Sequence, residues 1–208
     1  MKARDVSHIE IYARDKTPVM RFLVTALGFV RVADSVEVDR SSVLLTCGDV
    51  RVVVTSGWAT CRSRHAREER IADIAVTCDD VNAVRDVALA AGGTVTRSAR
   101  GYPVVSGIGD VTYTLLPAGA RSDLPGDGRN WVPNTPQAEQ PDPDGPDHMT
   151  LRLDLEFPDK HAAFYRDVLD VASPSPVSAA TRAGTDVLAL QSASGHVSVV
   201  LVAGDRIG

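Results

Sequence analysis

The segment VSHIEIYARD (residues 6–15) decides the fold, because two later segments repeat its pattern of a short strand with a His or an Asp near its start. The two related segments are IADIAVTCDD (71–80) and DHMTLRLDLE (147–156). Superimposing the three places His8, Asp73 and His148 at one shared position. Self-similarity at comparable spacing predicts one structural unit that is used three times.

Each of these segments is followed by a helical pattern and then by a glycine that opens an apolar closing segment. The helical patterns cover residues 17–30, 81–95 and 159–171, and the closing segments begin at Gly48, Gly109 and Gly195. Apolar residues at helical spacing form a stripe on the first helix, namely Val19, Phe22, Leu23 and Leu27. Asp79 or Asp80 can cap the second helix, and the pair Gly92–Gly93 ends it. The repeated unit is therefore a strand, a helix and further strands.

Residues 117–147, between the second and third units, are rich in Pro, Gly and Asp, which cannot sustain a helix or a central strand. We interpret this stretch as an interdomain linker. Residues 1–116 then form an N-terminal domain of two modules (1–60 and 70–116). Residues 148–208 form a single third module, half of a C-terminal domain.

Composition excludes several classes of partner. The 208 residues carry a formal charge of −5, and binding to nucleic acid needs an excess of Lys and Arg, so we expect no nucleic-acid partner. No apolar stretch approaches the ~20 residues that span a bilayer, and the N-terminus lacks a signal-peptide core, so we expect a cytoplasmic protein without a membrane partner. The three cysteines include no Cys-x-x-Cys pair, which agrees with a reducing compartment.

Strand alternation separates a core face from a polar face. On the first strand Ile9 and Ile11 point towards the helix, and the opposite positions are His8, Glu10 and Tyr12. On the closing strands the core positions are Val50, Val52, Val54, Val111, Tyr113 and Leu115, and they alternate with Arg51, Val53, Thr55, Thr112, Thr114 and Leu116. The polar face could hold a small ligand in a hollow. Alternation alone favours the simpler interpretation, a solvent-exposed outer face.

These segments resemble the vicinal oxygen chelate superfamily (the glyoxalase, bleomycin resistance and dioxygenase fold), and most of all 4-hydroxyphenylpyruvate dioxygenase and hydroxymandelate synthase. The segments that carry the resemblance are 6–15, ALGFV (26–30), VVVTSGW (52–58), 71–81, GIGDVTYTLL (107–116), 147–171 and LQSASGHVSVVLV (190–202). The resemblance implies an α+β fold of repeated βαβββ modules. In this fold the modules pair into curved mixed sheets with helices on the outer face.

The resemblance also implies where iron would bind. These dioxygenases hold Fe(II) with two His and one Glu, and their first ligand falls on His148. The other two ligands belong to a fourth module and have no counterpart in this sequence. In the three modules present, the Glu position falls on Val53, Thr114 and Val200. We therefore expect an incomplete iron site, and Fe(II) only if an oligomer completes it.

Two further questions concern metal binding, one for the pair His8 and Asp73 and one for His148. His8 and Asp73 supply one imidazole and one carboxylate, and a Thr hydroxyl is a poor third ligand, so we expect no metal in the N-terminal domain. His148 is a vestigial or shared ligand, or a histidine held locally on a strand face; we favour the second.

A single third module buries too little surface to stand alone, which predicts a homodimer through that module.

Three functional hypotheses follow. The first is a small-molecule binding protein, or an enzyme that needs no metal or other cofactor, with a small aromatic acid such as a 2-oxo acid as ligand. Its catalytic candidates are His8, Glu10 and Asp73, and its ligand-binding candidates are Arg51, Thr112 and Thr114. The second is an Fe(II)-dependent dioxygenase for an aromatic 2-oxo acid, completed by a second chain. The third is a structural or regulatory subunit.

Overall fold

The computed structural model describes residues 3–58, 69–108, 111–120, 125, 128–134, 187–191 and 198–202. His148 lies outside these residues, as do the first strand and the helix predicted for the third module.

Two βαβββ modules follow one another along the chain, as the repeat predicted. The first consists of β1 (Ala3–Tyr12), α1 (Lys16–Leu27), β2 (Val30–Val36), β3 (Arg40–Cys47) and β4 (Val50–Gly57). The second consists of β5 (Arg70–Cys78), α2 (Val81–Ala90), β6 (Thr94–Arg97), β7 (Pro103–Ile108) and β8 (Val111–Pro117). The remaining strands are β9 (Val132–Pro133), β10 (Val187–Gln191) and β11 (Ser198–Val202).

The strands of both modules join one mixed, open sheet of nine strands in the order β6-β7-β8-β5-β1-β4-β3-β2-β9. At its centre β1 and β5 pair antiparallel, and each pairs in parallel with the closing strand of its own module, β4 or β8. The two modules are thus arranged about the β1–β5 pair. The α+β fold class is confirmed.

The strand register confirms the alignment of the two modules. Along the β1–β5 pair His8 faces Ala75, and Glu10 faces Asp73. If His8 is equivalent to Asp73, then Ala75 is equivalent to Glu10, so each of these two pairs is the image of the other. This symmetric register places both repeat positions, His8 and Asp73, on one face near the centre of the sheet.

Both helices begin at aspartate caps. The Asp15 Oδ1 accepts a hydrogen bond from the Thr17 backbone N at 2.9 Å. The predicted cap Asp80 accepts from the backbone N of Asn82 and of Ala83, both at 3.0 Å. These bonds satisfy amide groups that have no partner within the helix. The caps fix where each helix leaves the sheet.

The hydrophobic core lies between the helices and the sheet. The predicted core positions of the closing strands are buried there together with Ile9. On α1, however, Leu23 is the buried residue, while Phe22 is 58% and Leu27 38% exposed, so the predicted stripe was wrong in part. The helix rests on the sheet through Val19, Met20 and Leu23. Phe22, about 100° further round the helix, therefore faces solvent.

In the part of the chain beyond the second module that the structure describes, there are three more strands. Strand β9, inside residues 117–147, pairs with β2 at the edge of the nine-stranded sheet. Strands β10 and β11 form a separate antiparallel pair, and β11 coincides with part of the closing segment predicted for the third module. The division into domains at residues 116 and 148 stays a prediction. Neither α1 nor α2 is long and apolar enough to cross a membrane.

Candidate functional site

A cavity of about 300 Å³ lies on the side of the sheet opposite α1 and α2, which we call the inner face. Its polar lining from the central strands consists of Ser7, His8, Glu10, Tyr12, Asp73, Thr112 and Thr114. His8 and Glu10 are only 7% and 8% exposed, so the solvent-exposed outer face favoured by alternation was wrong. Chain segments around Tyr102 and Arg129 also line the cavity and help to enclose this face.

A buried ion pair occupies one side of the cavity. The Arg129 guanidinium donates through Nη2 to Glu10 Oε1 and, at 3.2 Å, to Thr55 Oγ1. Its Nε donates to Ser42 Oγ at 3.0 Å. Thr55 Oγ1 in turn donates to Glu10 Oε1 at 2.8 Å. The Glu10 carboxylate is thus held on the sheet by a cation from outside the two modules.

Arg129 belongs to the segment 128–134, which is anchored to the edge of the sheet. Strand β9 pairs with β2, and the Asn134 backbone N donates to the Val32 carbonyl at 2.8 Å. Trp131 packs against the buried side chains Ala33, Leu44 and Val53, and its Nε1 donates to the Pro125 carbonyl at 2.7 Å. This segment therefore covers the β2–β3–β4 half of the inner face, and the cavity lies towards β5 and β8.

Asp73 faces the cavity from β5, directly across from Glu10. Burial raises the pKa of Asp73 to about 6, and the Glu10 charge adds to this rise. Hydrogen bonds from Thr112 and Thr114 act in the opposite direction, the Thr112 Oγ1 lying 2.6 Å from Asp73 Oδ1. The residue as a whole is half-buried and lines the cavity. A carboxyl with a pKa of this kind can hold or release a proton near neutral pH.

His8 shows the opposite shift. Burial lowers its pKa to about 4, and the positive charges of Arg129 and Arg51 lower it further. The ring is therefore neutral at physiological pH, with Nδ1 3.4 Å from Ser7 Oγ. A neutral imidazole offers one hydrogen-bond donor and one acceptor.

Aromatic and basic side chains complete the lining. Tyr12 and Tyr102 are half-buried beside the cavity. Arg70 stacks over the Tyr12 ring at 5.3 Å, and burial is the main cause that raises the Tyr12 pKa. Arg40 and Arg100 also line the cavity, and Arg40 donates to Glu37 at 2.6 Å. The cavity thus joins two phenol rings to a set of charged groups.

The structure brings most of the predicted site residues together. His8, Glu10, Asp73, Thr112 and Thr114 all line the cavity. Arg51, on β4, is not part of the lining, although its charge acts on His8. His148 is outside the part of the chain that the structure describes.

Sequence reasoning missed Arg129, Arg100 and Tyr102. Arg129 belongs to a Pro- and Gly-rich stretch without strand or helix periodicity. The one available signal was Trp131 two residues further on, because a large aromatic residue in such a stretch indicates packing.

The inner face does not fit an iron site. The two positions where a carboxylate ligand would stand are Val53, which is fully buried against Trp131, and Thr114. The Glu10 carboxylate is engaged by Arg129, and Asp73 accepts from Thr112. Within the described ranges no three His, Cys, Asp or Glu side chains form a group that could hold a metal ion.

Solved structures similar to this chain include a variant of 4-hydroxymandelate synthase from Streptomyces coelicolor. It is 28% identical, with a TM-score of 0.74, over 98% of this chain and 63% of the synthase chain. Another is a xylose isomerase-like TIM barrel/4-hydroxyphenylpyruvate dioxygenase fusion protein, which shares the fold. It is 18% identical with a TM-score of 0.65, over 98% of this chain and 33% of the fusion protein.

The chain therefore spans less than two thirds of either structure. Among curated proteins no match was found. The family model of the Glyoxalase/Bleomycin resistance protein/Dioxygenase superfamily matches residues 5–114, more than half of the sequence. The chain belongs to this superfamily.

Proposed function

We propose that the protein binds a small aromatic acid in the inner-face cavity, as a binding protein or as an enzyme that uses the acid–base chemistry of Asp73 without a metal. One observation carries this proposal: Asp73, whose pKa lies near 6, faces a cavity that is also lined by two tyrosines and two threonines. A titrating carboxyl in a cleft is a common mark of a functional site.

The cavity's size and lining support this ligand class. A volume of about 300 Å³ stands at the lower end of small-molecule pockets, which suits a ligand with one ring. The half-buried rings of Tyr12 and Tyr102 offer faces for stacking. The similarity to a 4-hydroxymandelate synthase, whose name refers to an aromatic hydroxy acid, points to the same class.

The lining divides into a proton-carrying group and fixed groups. Asp73 can donate a proton to a ligand oxygen below its pKa and accept one above it. The ion pair with Arg129 holds the Glu10 carboxylate in place. Neutral His8 supplies hydrogen bonds without charge. In this proposal Asp73 is the group that moves a proton, His8 positions the ligand, and Glu10 holds the Arg129 guanidinium on the sheet.

Calorimetric titration with phenylpyruvate and 4-hydroxyphenylpyruvate tests the proposal. We expect saturable binding and a rise in melting temperature, because a ligand that prefers the folded state stabilises it. Thr114→Ile replaces the hydroxyl group with a larger ethyl group at the cavity wall and should abolish binding. Thr25→Ile, on the exposed side of α1, is the matched control and should bind as the native protein does. Absence of binding to the native protein, or equal binding by Thr114→Ile, would contradict the proposal.

A second candidate function is supported by one observation: the similarity to 4-hydroxymandelate synthase extends over 98% of this chain, well beyond the N-terminal modules. In that case the chain is part of an Fe(II)-dependent dioxygenase for an aromatic 2-oxo acid. His148 would be one iron ligand, and a second chain would complete the site, in a homodimer through the third module. Light scattering on the eluted protein tests the dimer. Oxygen uptake with 4-hydroxyphenylpyruvate, lost in His148→Ala, tests the activity.

A further inference from the structure

We infer that Arg129 is the specificity-determining residue of the cavity and that its Nη1 group binds the carboxylate of the ligand. The inference rests on the proposed function, since it assigns one end of the same ligand. Arginine suits this role because its planar guanidinium presents several donors in fixed directions to a carboxylate.

The geometry leaves one donor group of Arg129 available. The side chain is 2% exposed, and its Nε and Nη2 groups donate to Ser42, Thr55 and Glu10. Nη1 donates to no residue that the structure describes, while Arg129 lines the cavity. Among the described residues, the buried side-chain nitrogen without a partner is Asn134 Nδ2 and not Arg129 Nη1, so Nη1 keeps some contact with open space. A ligand carboxylate that reaches Nη1 would gain a charged hydrogen bond.

The charges around the cavity balance near neutral pH and favour an anion at lower pH. Arg100 and Arg129 line it together with the carboxyl groups of Glu10 and Asp73, and Glu37 offsets Arg40 from outside the lining. Below the Asp73 pKa of about 6, protonation of this carboxyl leaves the lining with an excess of positive charge. We therefore expect an acid to bind more tightly as the pH falls through 6.

Glu10 competes with the ligand for the same guanidinium, and this competition gives the inference a distinctive consequence. Removing the Glu10 charge with Glu10→Gln should strengthen the binding of an acid, whereas Arg129→Met should weaken it. A merely structural role of the ion pair predicts that both replacements weaken binding. Opposite signs thus separate ligand recognition from structural support.

The experiment compares phenylpyruvate with its uncharged methyl ester by calorimetry. In the native protein we expect the acid to bind at least about tenfold more tightly than the ester, because a charged hydrogen bond is lost in the ester. Glu10→Gln should widen this ratio. The double variant Glu10→Gln/Arg129→Met, which leaves no buried charge unpaired, should bind both ligands equally. Arg85→Met on the outer surface of α2 removes one positive charge far from the cavity and should keep the native ratio.

Each outcome decides the question. If the native protein binds the ester as well as the acid, or if the double variant keeps the preference for the acid, Arg129 is not the carboxylate ligand, although the proposed function stands. If neither ligand binds to the native protein, the proposed function fails and the inference falls with it. A ratio that widens in Glu10→Gln and vanishes in the double variant supports the inference.

Discussion

At the scale of single residues, burial in the sheet shifts the pKa values of two symmetry-related groups in opposite directions. His8 and Asp73 stand at equivalent positions of the two modules, and burial is the largest cause of the shift in both. Burial penalises the charged form, so it lowers the pKa of the imidazole and raises that of the carboxyl. Both groups are therefore driven towards neutrality on the same face.

The opposite shifts predict opposite effects of pH on stability. His8 titrates at 6.5 when unfolded and at about 4 when folded, so its contribution to stability is lost as pH falls through this range. Asp73 titrates at 3.8 when unfolded and at about 6 when folded, so its burial reduces stability as pH rises from 3.8 to 6. Between about pH 4 and 6 the two effects largely cancel in the native protein.

Replacing each residue singly should reveal its contribution to the pH dependence of the free energy of unfolding. Relative to the native profile, Asp73→Asn should make the free energy of unfolding rise by about 3 kcal/mol from pH 3.8 to 6. His8→Gln should make it fall by about 3 kcal/mol from pH 4 to 6.5. Urea denaturation at a series of pH values measures both. The exposed Thr25→Val, which removes no titratable group, should follow the native profile. Parallel profiles for Asp73→Asn and His8→Gln would refute the assignment of opposite shifts.

The ion pair of Glu10 and Arg129 predicts a strong coupling in stability. Arg129→Met leaves a buried carboxylate without its cation and should lower the free energy of unfolding by about 3–5 kcal/mol. The double variant Glu10→Gln/Arg129→Met should recover most of this loss. Chemical denaturation of the two single variants and the double variant completes the cycle. Additive losses would show that the two side chains do not interact in solution.

Sequence alternation and the repeat identified much of this site on the strands. His8, Glu10, Thr112 and Thr114 follow the period of two, Asp73 follows from the superposition of the repeats, and each lines the cavity. Arg129 could not be placed in this way, because the position of a side chain in an irregular segment depends on packing between distant parts of the chain. Burial could not be predicted either, since the alternation of a solvated strand is the same as that of a strand lining a cleft.

At the scale of elements, the start of β3 and the end of β4 approach too closely for a side chain at Gly57. A Cβ atom there would lie 2.4 Å from the Asp39 carbonyl oxygen and 2.7 Å from the Arg40 Cα, and the φ angle of +137° disfavours other residues. Both contacts are with backbone, which cannot move away without separating the two strands. Gly57 is therefore required for this end of the sheet.

Gly57→Ala should lower the free energy of unfolding by about 2–4 kcal/mol, from combined backbone strain and overpacking. Gly48→Ala is the matched control, because Gly48 also has a positive φ but has nothing within 4 Å of its Cβ position. That control should lose only about 1–2 kcal/mol. Equal losses for the two variants, measured by urea denaturation, would show that the close approach is absent.

Helix α1 shows what periodicity can and cannot specify about an element. Its existence and its approximate limits followed from the sequence, but Phe22 and Leu27 were assigned to the buried stripe and are exposed. Helical spacing defines a set of apolar faces, and which of them contacts the sheet depends on how the helix is rotated about its axis. The strand that follows α1 and its cap at Asp15 set that rotation.

At the scale of the whole molecule, the repeat predicted the order of the helix and the strands along the chain in both modules. The symmetric register about β1 and β5 follows from two modules of similar sequence, each supplying one central strand. The loss of that symmetry on the inner face was not predictable. Residues 128–134 cover the half that belongs to the first module and leave the other half open.

The side chains of the inner face also lead to a prediction about iron. Because the inner face does not fit the metal, any iron bound in stoichiometric amount should depend on His148 and be independent of the N-terminal modules. Protein purified with ferrous iron should lose the metal in His148→Ala and keep it in His8→Ala, as measured by atomic absorption. Loss of iron in His8→Ala would place the metal on the inner face and contradict the description of its donors.

The position of Arg129 also determines how this protein can be divided for study. A fragment that ends at Pro117 contains every strand of both modules, but it leaves the Glu10 carboxylate without a counter-ion and the side chains beneath Trp131 uncovered. A fragment that extends to Asn134 keeps both. Crystallographic or NMR work on the amino-terminal half alone is therefore best begun with the longer boundary.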